Sequence, residues 1–186
     1  YLEKVMRGPS LFDSDMLAAS LAASMYSHVL FNVVREKYDA CYSPSASVTP
    51  MRAGLANVYI FKASDLANVV RYEKEAEAIF ASGKVIDGKN EDGSYVFSSV
   101  EERLRGYKNQ YVNSFYGSSV TNGAVASRLA YSLLMFGDPC AYDEKIAEIE
   151  QVSSDDVLRA FRKYWVSGGA RWFCVVGPED IDTVKF

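Results

Sequence analysis

Arg35 and Tyr42 are seven residues apart, on either side of a predicted change from helix to strand. An amphipathic segment ends at the arginine, and a short extended segment carries the tyrosine. A guanidinium and a phenol on the two sides of such a turn can converge on one point and donate hydrogen bonds to a single carbonyl oxygen. The same residues also have a structural interpretation, in which Arg35 stabilises the end of its helix and Tyr42 packs. The spacing alone leaves both interpretations open.

The elements that position these two residues are predicted from hydrophobic periodicity and capping residues. Asp13 is a suitable N-cap for the helix that leads to Arg35, and Ser64 is predicted to cap the helix after the strands. Pro50 and Gly54 bracket the turn between two strand-like runs. The predicted elements of this half are a strand over 1–5, a helix over 14–36, strands over 40–48 and 54–62, and a helix over 65–82.

The second half of the chain is predicted to be mainly helical. Two Asp-Gly turn signals mark the segment Lys84–Phe97 as a hairpin or a protruding loop, and Ser99 with Glu102 forms a capping box for the next helix. The remaining predicted elements are helices over 100–117, 121–137, 143–149 and 154–165 and a strand over 171–176. The sequence therefore predicts an α/β (α+β) two-layer fold, in which helices pack on a mixed sheet in the order β-α-β-β-α, followed by a helical block and a closing strand.

The composition fits one domain with a sizeable core and argues against several classes of function. Of the 186 residues, 49% are hydrophobic and 24% charged, which is not the composition of a disordered chain. A formal charge of -4 argues against a nucleic-acid partner, because phosphate binding needs clustered lysine and arginine. No apolar run approaches the roughly 20 residues of a transmembrane helix, so we expect a soluble protein. The three cysteines are widely spaced and form neither a disulfide framework nor a C-x-x-C site.

The start of the chain indicates a piece of a longer protein. The alternating, strand-like segment begins directly at Tyr1, and the first residue is not a methionine. We therefore interpret residues 1–186 as a single domain excised from a longer chain, of which it would be a C-terminal or non-catalytic part. On this interpretation the lack of a signal peptide says nothing about the compartment of the parent, and the localisation stays open.

Metal and nucleophile motifs are weak in this sequence. His28 is the only histidine, and its neighbours offer neither the second histidine nor the glutamate of the inverted zinc motif H-x-x-E-H. The loop Gly88–Gly93 fails the calcium-loop pattern, because Gly88 and Ser99 stand where that pattern needs acids. The nucleophile motif G-x-S-x-G is absent from the sequence. The chain by itself is therefore predicted to hold no catalytic zinc and to cleave no peptide.

The segment Asp15–Ser45 resembles the non-catalytic half-domain of the insulinase/pitrilysin zinc metallopeptidases, a family that includes relatives of the mitochondrial processing peptidase. The family runs from a long helix through Leu-Arg-Glu-Lys-x-Gly-x-x-Tyr-Ser into a strand, and Arg35–Lys37 and Tyr42–Ser43 stand in those places. Two features depart from the family pattern. Asp39 or its neighbour stands where the family prefers glycine, and the excursion Lys84–Phe97 is longer than usual.

This resemblance implies one half of a clamshell-shaped peptidase that encloses a peptide substrate. The sister domain or subunit would carry H-x-x-E-H and the zinc, and its glutamate would act as general base on a zinc-bound water. Arg35 and Tyr42 would then be catalytic residues contributed to a zinc site on another domain. Their N–H and O–H groups would bind the scissile carbonyl or its developing oxyanion while the peptide lies extended, along a sheet edge.

Three functions remain open at the level of the sequence. The first is the Arg/Tyr half of an active zinc peptidase. The second is a catalytically inactive family member that acts as a scaffold or assembly subunit. The third is an unrelated α/β module that binds a ligand. An H-x-x-E-H motif elsewhere in the parent chain or in a neighbouring subunit separates the first two, and a fold without the order β-α-β-β-α would favour the third.

Overall fold

Helices cover one face of a four-stranded sheet in the computed structural model, which describes residues 1–49 and 51–186. The first half contains β1 (Leu2–Arg7), α1 (Met16–Leu30) with a π-helical turn (Phe31–Lys37), β2 (Cys41–Thr49), β3 (Leu55–Ala63) and α2 (Val69–Ala81). The second half contains β4 (Lys84–Lys89), β5 (Tyr95–Ser99), α3 (Val100–Gly117), α4 (Asn122–Phe136), α5 (Ala141–Ala147), a 3-10 turn (Glu148–Gln151), α6 (Ser154–Phe161) with a second π-helical turn (Arg162–Val166), β6 (Arg171–Cys174) and a last 3-10 turn (Pro178–Asp180). The two-layer α/β class and the order β-α-β-β-α are confirmed.

The strand order of the sheet is β2-β3-β1-β6, and each of these neighbouring pairs is antiparallel. The sequence predicted a mixed sheet, which the strand register does not show. β3 inserts between β1 and β2, which run in the same direction on its two sides, so the β1-α1-β2 crossover never makes a parallel pair. Pro50, at the predicted turn between β2 and β3, lies outside the described residues. The edges of this sheet are β2 and β6.

α1 is the central helix of the core, where small and aliphatic side chains let it pack closely on β2, α2 and α6. Together with the π turn it forms an unbroken helix of 22 residues, Met16–Lys37, which is long and apolar enough to cross a membrane. The helix itself was predicted over 14–36, but its membrane-spanning length and hydropathy were not recognised, because the prediction considered uninterrupted apolar runs and not mean hydropathy. Of the most apolar window, 67% is buried inside the fold, as expected for the core helix of a globular domain.

Two helix starts show how far capping residues predict the fold. The capping box of Ser99 and Glu102 begins α3 as predicted. α2 begins at Val69 and not at residue 65, because the hydroxyl of Ser64 donates to the carbonyl oxygen of Asp39 (2.8 Å) and does not cap the helix. A side chain that finds a partner in another segment is no longer available to the helix that follows it.

A charged cluster lies between the sheet and the helices. Lys4, on the helix-facing side of β1, pairs with the fully buried Glu73 of α2 (Nζ to Oε1, 3.0 Å) and with Glu77. The hydroxyl of Tyr26 donates to the same oxygen of Glu73 at 2.9 Å. Burial raises the pKa of Glu73, and Lys4 opposes that rise by stabilising the charged carboxylate. The cluster links β1 to α1 and α2 across the core.

Candidate functional site

Arg35 reaches across the turn between helix and strand to Tyr42. Its Nη1 atom donates a hydrogen bond to the backbone carbonyl oxygen of Tyr42 at 2.8 Å. The guanidinium carbon lies 5.2 Å from the centroid of the Tyr42 ring and 5.1 Å from that of the Phe31 ring, within the range of cation–π interactions. The two residues that the sequence paired by their spacing therefore lie side by side in the fold.

The turn between Arg35 and Tyr42 is short because Asp39 adopts a left-handed backbone conformation, with φ of 48°. The amide of Asp39 donates to the carbonyl oxygen of Arg35 at 2.8 Å, and the amide of Ala40 donates to that of Val34 at 3.0 Å. Glycine adopts this conformation at little cost, and aspartate is one of the few other residues that tolerate it. Asp39 thus maintains a turn of the kind for which glycine is suited.

The helix widens into a π turn just before this point. The amide of Tyr38 donates to the carbonyl oxygen of Val33 at 3.3 Å, a span of five residues where an α-helix would span four. The ring of Tyr38 stacks on Tyr72 of α2, with centroids 3.7 Å apart, and its hydroxyl donates to Glu75 at 2.7 Å. These contacts attach the π turn to α2 and so fix the backbone that carries Arg35.

The β4–β5 hairpin supports the same turn from the other side. The excursion Lys84–Phe97, predicted as a hairpin or a loop, is a hairpin. The hydroxyl of Tyr95 donates to the carbonyl oxygen of Asn32 at 3.2 Å, and Nζ of Lys89 donates to that of Glu36 at 2.8 Å. The hairpin therefore supplies donors to carbonyl oxygens of the widened turn, and it is more than a protrusion of the surface.

The hydroxyl of Tyr42 has no protein partner within the described residues, and the side chain is 61% exposed. One edge of the ring meets Phe61, with centroids 6.0 Å apart. Nζ of Lys62 lies 5.8 Å from the centroid of the Tyr42 ring. The ring is thus held by its neighbours while its hydroxyl is available to a ligand.

Arg35 also has donors left for a ligand. A guanidinium carries five N–H groups, of which one meets the carbonyl of Tyr42, while Nε lies 3.6 Å from a carboxylate oxygen of Glu36. Arg35 and Lys62 both lie close to the Tyr42 ring and place positive charge beside that side chain. Donors and cations in this arrangement suit an oxygen atom that is or becomes negative.

Lys62 is the residue of this site that the sequence analysis did not single out. The signal for it was the strand register, because Cys41 pairs with Ala63 and Ser43 pairs with Phe61, which places Lys62 opposite Tyr42. Predicting that contact needed the exact antiparallel alignment of β2 and β3. Periodicity identified both strands but could not supply their alignment.

The Cys41 thiol and the His28 imidazole, two other potentially reactive groups, show no sign of a catalytic role. Burial raises the pKa of the Cys41 thiol to about 11, with Arg35 acting in the opposite sense, so the thiol is protonated at neutral pH. Nε2 of His28 lies 2.8 Å from the carbonyl oxygen of Ile86. Among the residues that the structure describes, no three His, Cys, Asp or Glu side chains are grouped to hold a metal ion. What this region offers is hydrogen-bond donation to a carbonyl or anionic oxygen.

No protein-family model and no curated protein sequence matches this chain, but solved structures do. A protein of Bordetella pertussis Tohama I, assigned as a zinc protease, matches with a TM-score of 0.72 and 15% identity over 95% of this chain and 92% of that one. A peptidase M16 inactive domain from Pseudomonas fluorescens matches with a TM-score of 0.70 and 16% identity over 92% and 39% of the two chains. A chain of complex III2 from Candida albicans matches with a TM-score of 0.70 and 14% identity over 92% and 41%.

These matches establish the fold. The chain spans nearly all of the Bordetella pertussis structure and less than half of the other two chains. Its antiparallel sheet with helices on one face is the fold of the inactive domains of M16 zinc proteases, so the predicted resemblance to an insulinase/pitrilysin-type half-domain is confirmed at the level of the fold.

Proposed function

We propose that this chain, which has the fold of M16 inactive domains, is the substrate-binding, metal-free half of a zinc metallopeptidase. On this proposal the zinc and the motif H-x-x-E-H belong to a sister domain or subunit. Arg35 and Tyr42 donate hydrogen bonds to the scissile carbonyl of a peptide that lies between the two halves. The matches to a Bordetella pertussis protein assigned as a zinc protease and to an M16 inactive domain support a peptidase parent.

The observation that carries the proposal is the exposed side chain of Tyr42, whose ring lies beside the guanidinium of Arg35. A tyrosine with a purely structural role usually buries its ring and gives its hydroxyl a partner. Here the hydroxyl has no partner within the described part of the chain, while the guanidinium is fixed beside the ring by its bond to the backbone. Both groups are donors held in place before any ligand arrives, which is the property that stabilises an oxyanion.

The two side chains would act as charge develops on the substrate. A zinc ion in the sister half would activate a water molecule for attack. As the scissile carbonyl oxygen gains negative charge, hydrogen bonds from Tyr42 and Arg35 strengthen, and Lys62 adds positive charge nearby. The bond from Nη1 of Arg35 to the backbone orients the guanidinium, and its other N–H groups would donate to the substrate. Interactions that grow with charge lower the barrier to reaction and leave ground-state binding nearly unchanged.

Tyr42→Phe and Arg35→Lys in the complete enzyme test this proposal. Tyr42→Phe is expected to lower kcat by about 10²–10³-fold with little change in KM, the usual effect of losing one oxyanion donor. Arg35→Lys is also expected to lower kcat, because an ammonium group cannot reproduce the planar set of guanidinium donors. Steady-state kinetics on a peptide substrate measures both effects.

Matched controls come from exposed residues of α3. Tyr116→Phe and Arg105→Lys make the same chemical changes away from the site and are expected to leave kcat unchanged. Thermal melts of all four variants report on the fold. Wild-type turnover in Tyr42→Phe and Arg35→Lys would leave both as ordinary structural residues. A large fall in their melting temperatures would assign them a role in packing.

A second candidate function is a catalytically inactive scaffold or assembly subunit. The observation that favours it is the match to a chain of complex III2, whose TM-score equals that of the match to the M16 inactive domain. The discriminating test is the sequence of the parent chain and of the subunits that co-purify with it. Absence of H-x-x-E-H from all of them, together with normal assembly of the Tyr42→Phe variant, supports the scaffold.

A further inference from the structure

A cavity of about 600 Å³ opens at one end of the sheet, on the face that the helices leave uncovered. Its lining includes three exposed arginines, Arg7, Arg52 and Arg171, and the ring of Phe173. The cavity lies beside the first residue of β3, whereas Tyr42 lies beside the other end of that strand. It is therefore separate from the Arg35–Tyr42 site.

The strand register brings two of the arginines together. Arg171 of β6 lies directly opposite Val5 of β1. Arg7 follows Val5 by two residues, so its side chain leaves the sheet on the same face as that of Arg171. Diagonal neighbours of this kind on adjacent strands are about 7–8 Å apart, a distance that two long side chains bridge easily. Both guanidinium groups can thus reach one ligand.

A close backbone contact positions the segment that carries the third arginine. The segment with Arg52 packs against the end of β1, where the amide of Gly8 donates to the carbonyl oxygen of Gly54 at 2.9 Å. A Cβ atom on Gly54 would lie 1.6 Å from the carbonyl oxygen of Pro9, so only glycine allows this approach. The cluster of three arginines is therefore mounted on well-packed backbone at the end of the sheet.

None of the three arginines pairs with a carboxylate within residues 1–49 and 51–186. Asp13 also lines the cavity, and one of its carboxylate oxygens accepts a hydrogen bond from the amide of Ser10 at 2.8 Å. Three cations against one anion make a positive cavity in a chain whose formal charge is -4. We propose that this cavity binds a carboxylate of a peptide, either its C-terminus or an Asp or Glu side chain, because guanidinium groups match the geometry of a carboxylate.

Apolar surface next to the cavity favours a peptide as the source of the carboxylate. Phe173 is 57% exposed and lines both this cavity and a neighbouring one of about 260 Å³, together with Tyr1, Tyr59 and Val175. A peptide with its carboxylate among the arginines can place adjacent apolar side chains on these residues. A nucleic acid would need a longer basic stripe for its phosphates, which the acidic composition of this chain does not favour.

The role of this cavity in catalysis depends on the proposed function of Arg35 and Tyr42. β3 extends from Leu55, beside the cavity, to Lys62, beside Tyr42. Seven residue steps of about 3.3 Å separate the two ends by roughly 23 Å. An extended peptide covers that distance with about seven residues. The cavity would therefore select substrates whose carboxylate lies about that many residues from the scissile bond.

Peptide binding to the 186-residue chain tests the inference without catalysis. The probes are three labelled nonapeptides of one apolar-rich sequence, the first with a free C-terminal carboxylate and the second with a C-terminal amide. The third has the amide and one internal glutamate. Fluorescence anisotropy is expected to show binding about tenfold tighter for a carboxylate-bearing peptide than for the neutral amide. The carboxylate peptide that binds more tightly identifies the source of the group.

Variants of the cavity complete the test. Arg171→Gln and Arg52→Gln are each expected to remove most of the roughly tenfold preference. Arg105→Gln removes the same charge from the exposed face of α3 and is expected to retain it. Equal affinity for the three peptides overturns the inference, and so does an equal loss in Arg105→Gln. If the cavity variants bind like wild type while Tyr42→Phe loses turnover, the inference about the cavity is wrong and the proposed function stands. If the cavity variants lose the carboxylate preference while Tyr42→Phe keeps wild-type turnover, the inference about the cavity stands and the proposed function is wrong.

Discussion

Replacing Lys4 by methionine is expected to destabilise the fold strongly, because Lys4 provides the cation that faces the buried carboxylate of Glu73. The two side chains meet at 3.0 Å, and that of Glu73 has no exposed surface. Methionine fills similar apolar space, so the substitution removes the charge with little loss of packing. The hydroxyl of Tyr26 stays at 2.9 Å but brings no charge, and Oε2 of Glu73 has no hydrogen-bond partner among the described residues.

The size of the effect follows from the burial of the carboxylate. Removing one partner of a buried ion pair costs about 3–5 kcal/mol in the free energy of unfolding. For a domain of this size that corresponds to a fall of roughly 6–20 °C in Tm. Urea unfolding at pH 7 measures the change. The double variant Lys4→Met with Glu73→Gln removes the fully buried charge and leaves only the partly exposed carboxylate of Glu77 without its cation, so we expect it to recover at least about 1 kcal/mol. As a control, Lys37→Met breaks a partly exposed pair with Glu75 and is expected to cost less than about 1 kcal/mol.

The pH dependence of the Lys4→Met variant gives a second check on the same reasoning. Burial raises the pKa of Glu73, and loss of Lys4 raises it further. Protonation removes the unpaired charge, so the destabilisation relative to wild type should shrink as the pH falls. A free energy of unfolding within about 1 kcal/mol of wild type at pH 7 would refute the argument, since breaking a buried ion pair costs more than that.

Two further predictions concern acid stability and metal content. Hydrogen bonds from the hydroxyl and amide of Ser153 lower the pKa of Asp156 from 3.8 to about 2. Its carboxylate thus contributes stability that is present above about pH 4 and lost as the pH falls through about 2. Asp156→Asn should flatten that part of the profile in urea unfolding, and an unchanged slope would contradict the assignment. Tag-free protein is expected to contain no stoichiometric zinc and to cleave no peptide; one tightly bound zinc per chain, with peptidase activity lost on chelation, would overturn this.

Local features of this chain were predictable from sequence, and contacts between distant segments were not. Arg35 and Tyr42 flank one short turn, so their approach depended only on where a helix ends and a strand begins. The arginine cavity depends on β6 pairing with β1 after a long helical block, and nothing in the sequence near Arg171 indicates that partner. The hydroxyl of Ser64 donates to the carbonyl oxygen of Asp39 and does not cap α2, which begins at Val69. Only the register of distant strands could reveal the antiparallel order of the sheet.

The π turn before Arg35 affects how such a motif is recognised in other chains. Each residue of a helix turns the backbone by about 100° around the helix axis. The widened turn accommodates one additional residue between the buried part of α1 and Arg35. Deleting one residue from 31–34, with closure to regular α geometry, would therefore leave the guanidinium oriented as before relative to the core. A deletion in the regular part of α1 has no such compensation and would rotate the guanidinium by about that angle. The Arg-to-Tyr interval of seven would be unchanged in both cases, yet after the second deletion the side chain would face away from Tyr42. Two chains with identical motifs can therefore differ in whether the two groups meet, and the rotational phase of the preceding helix decides which.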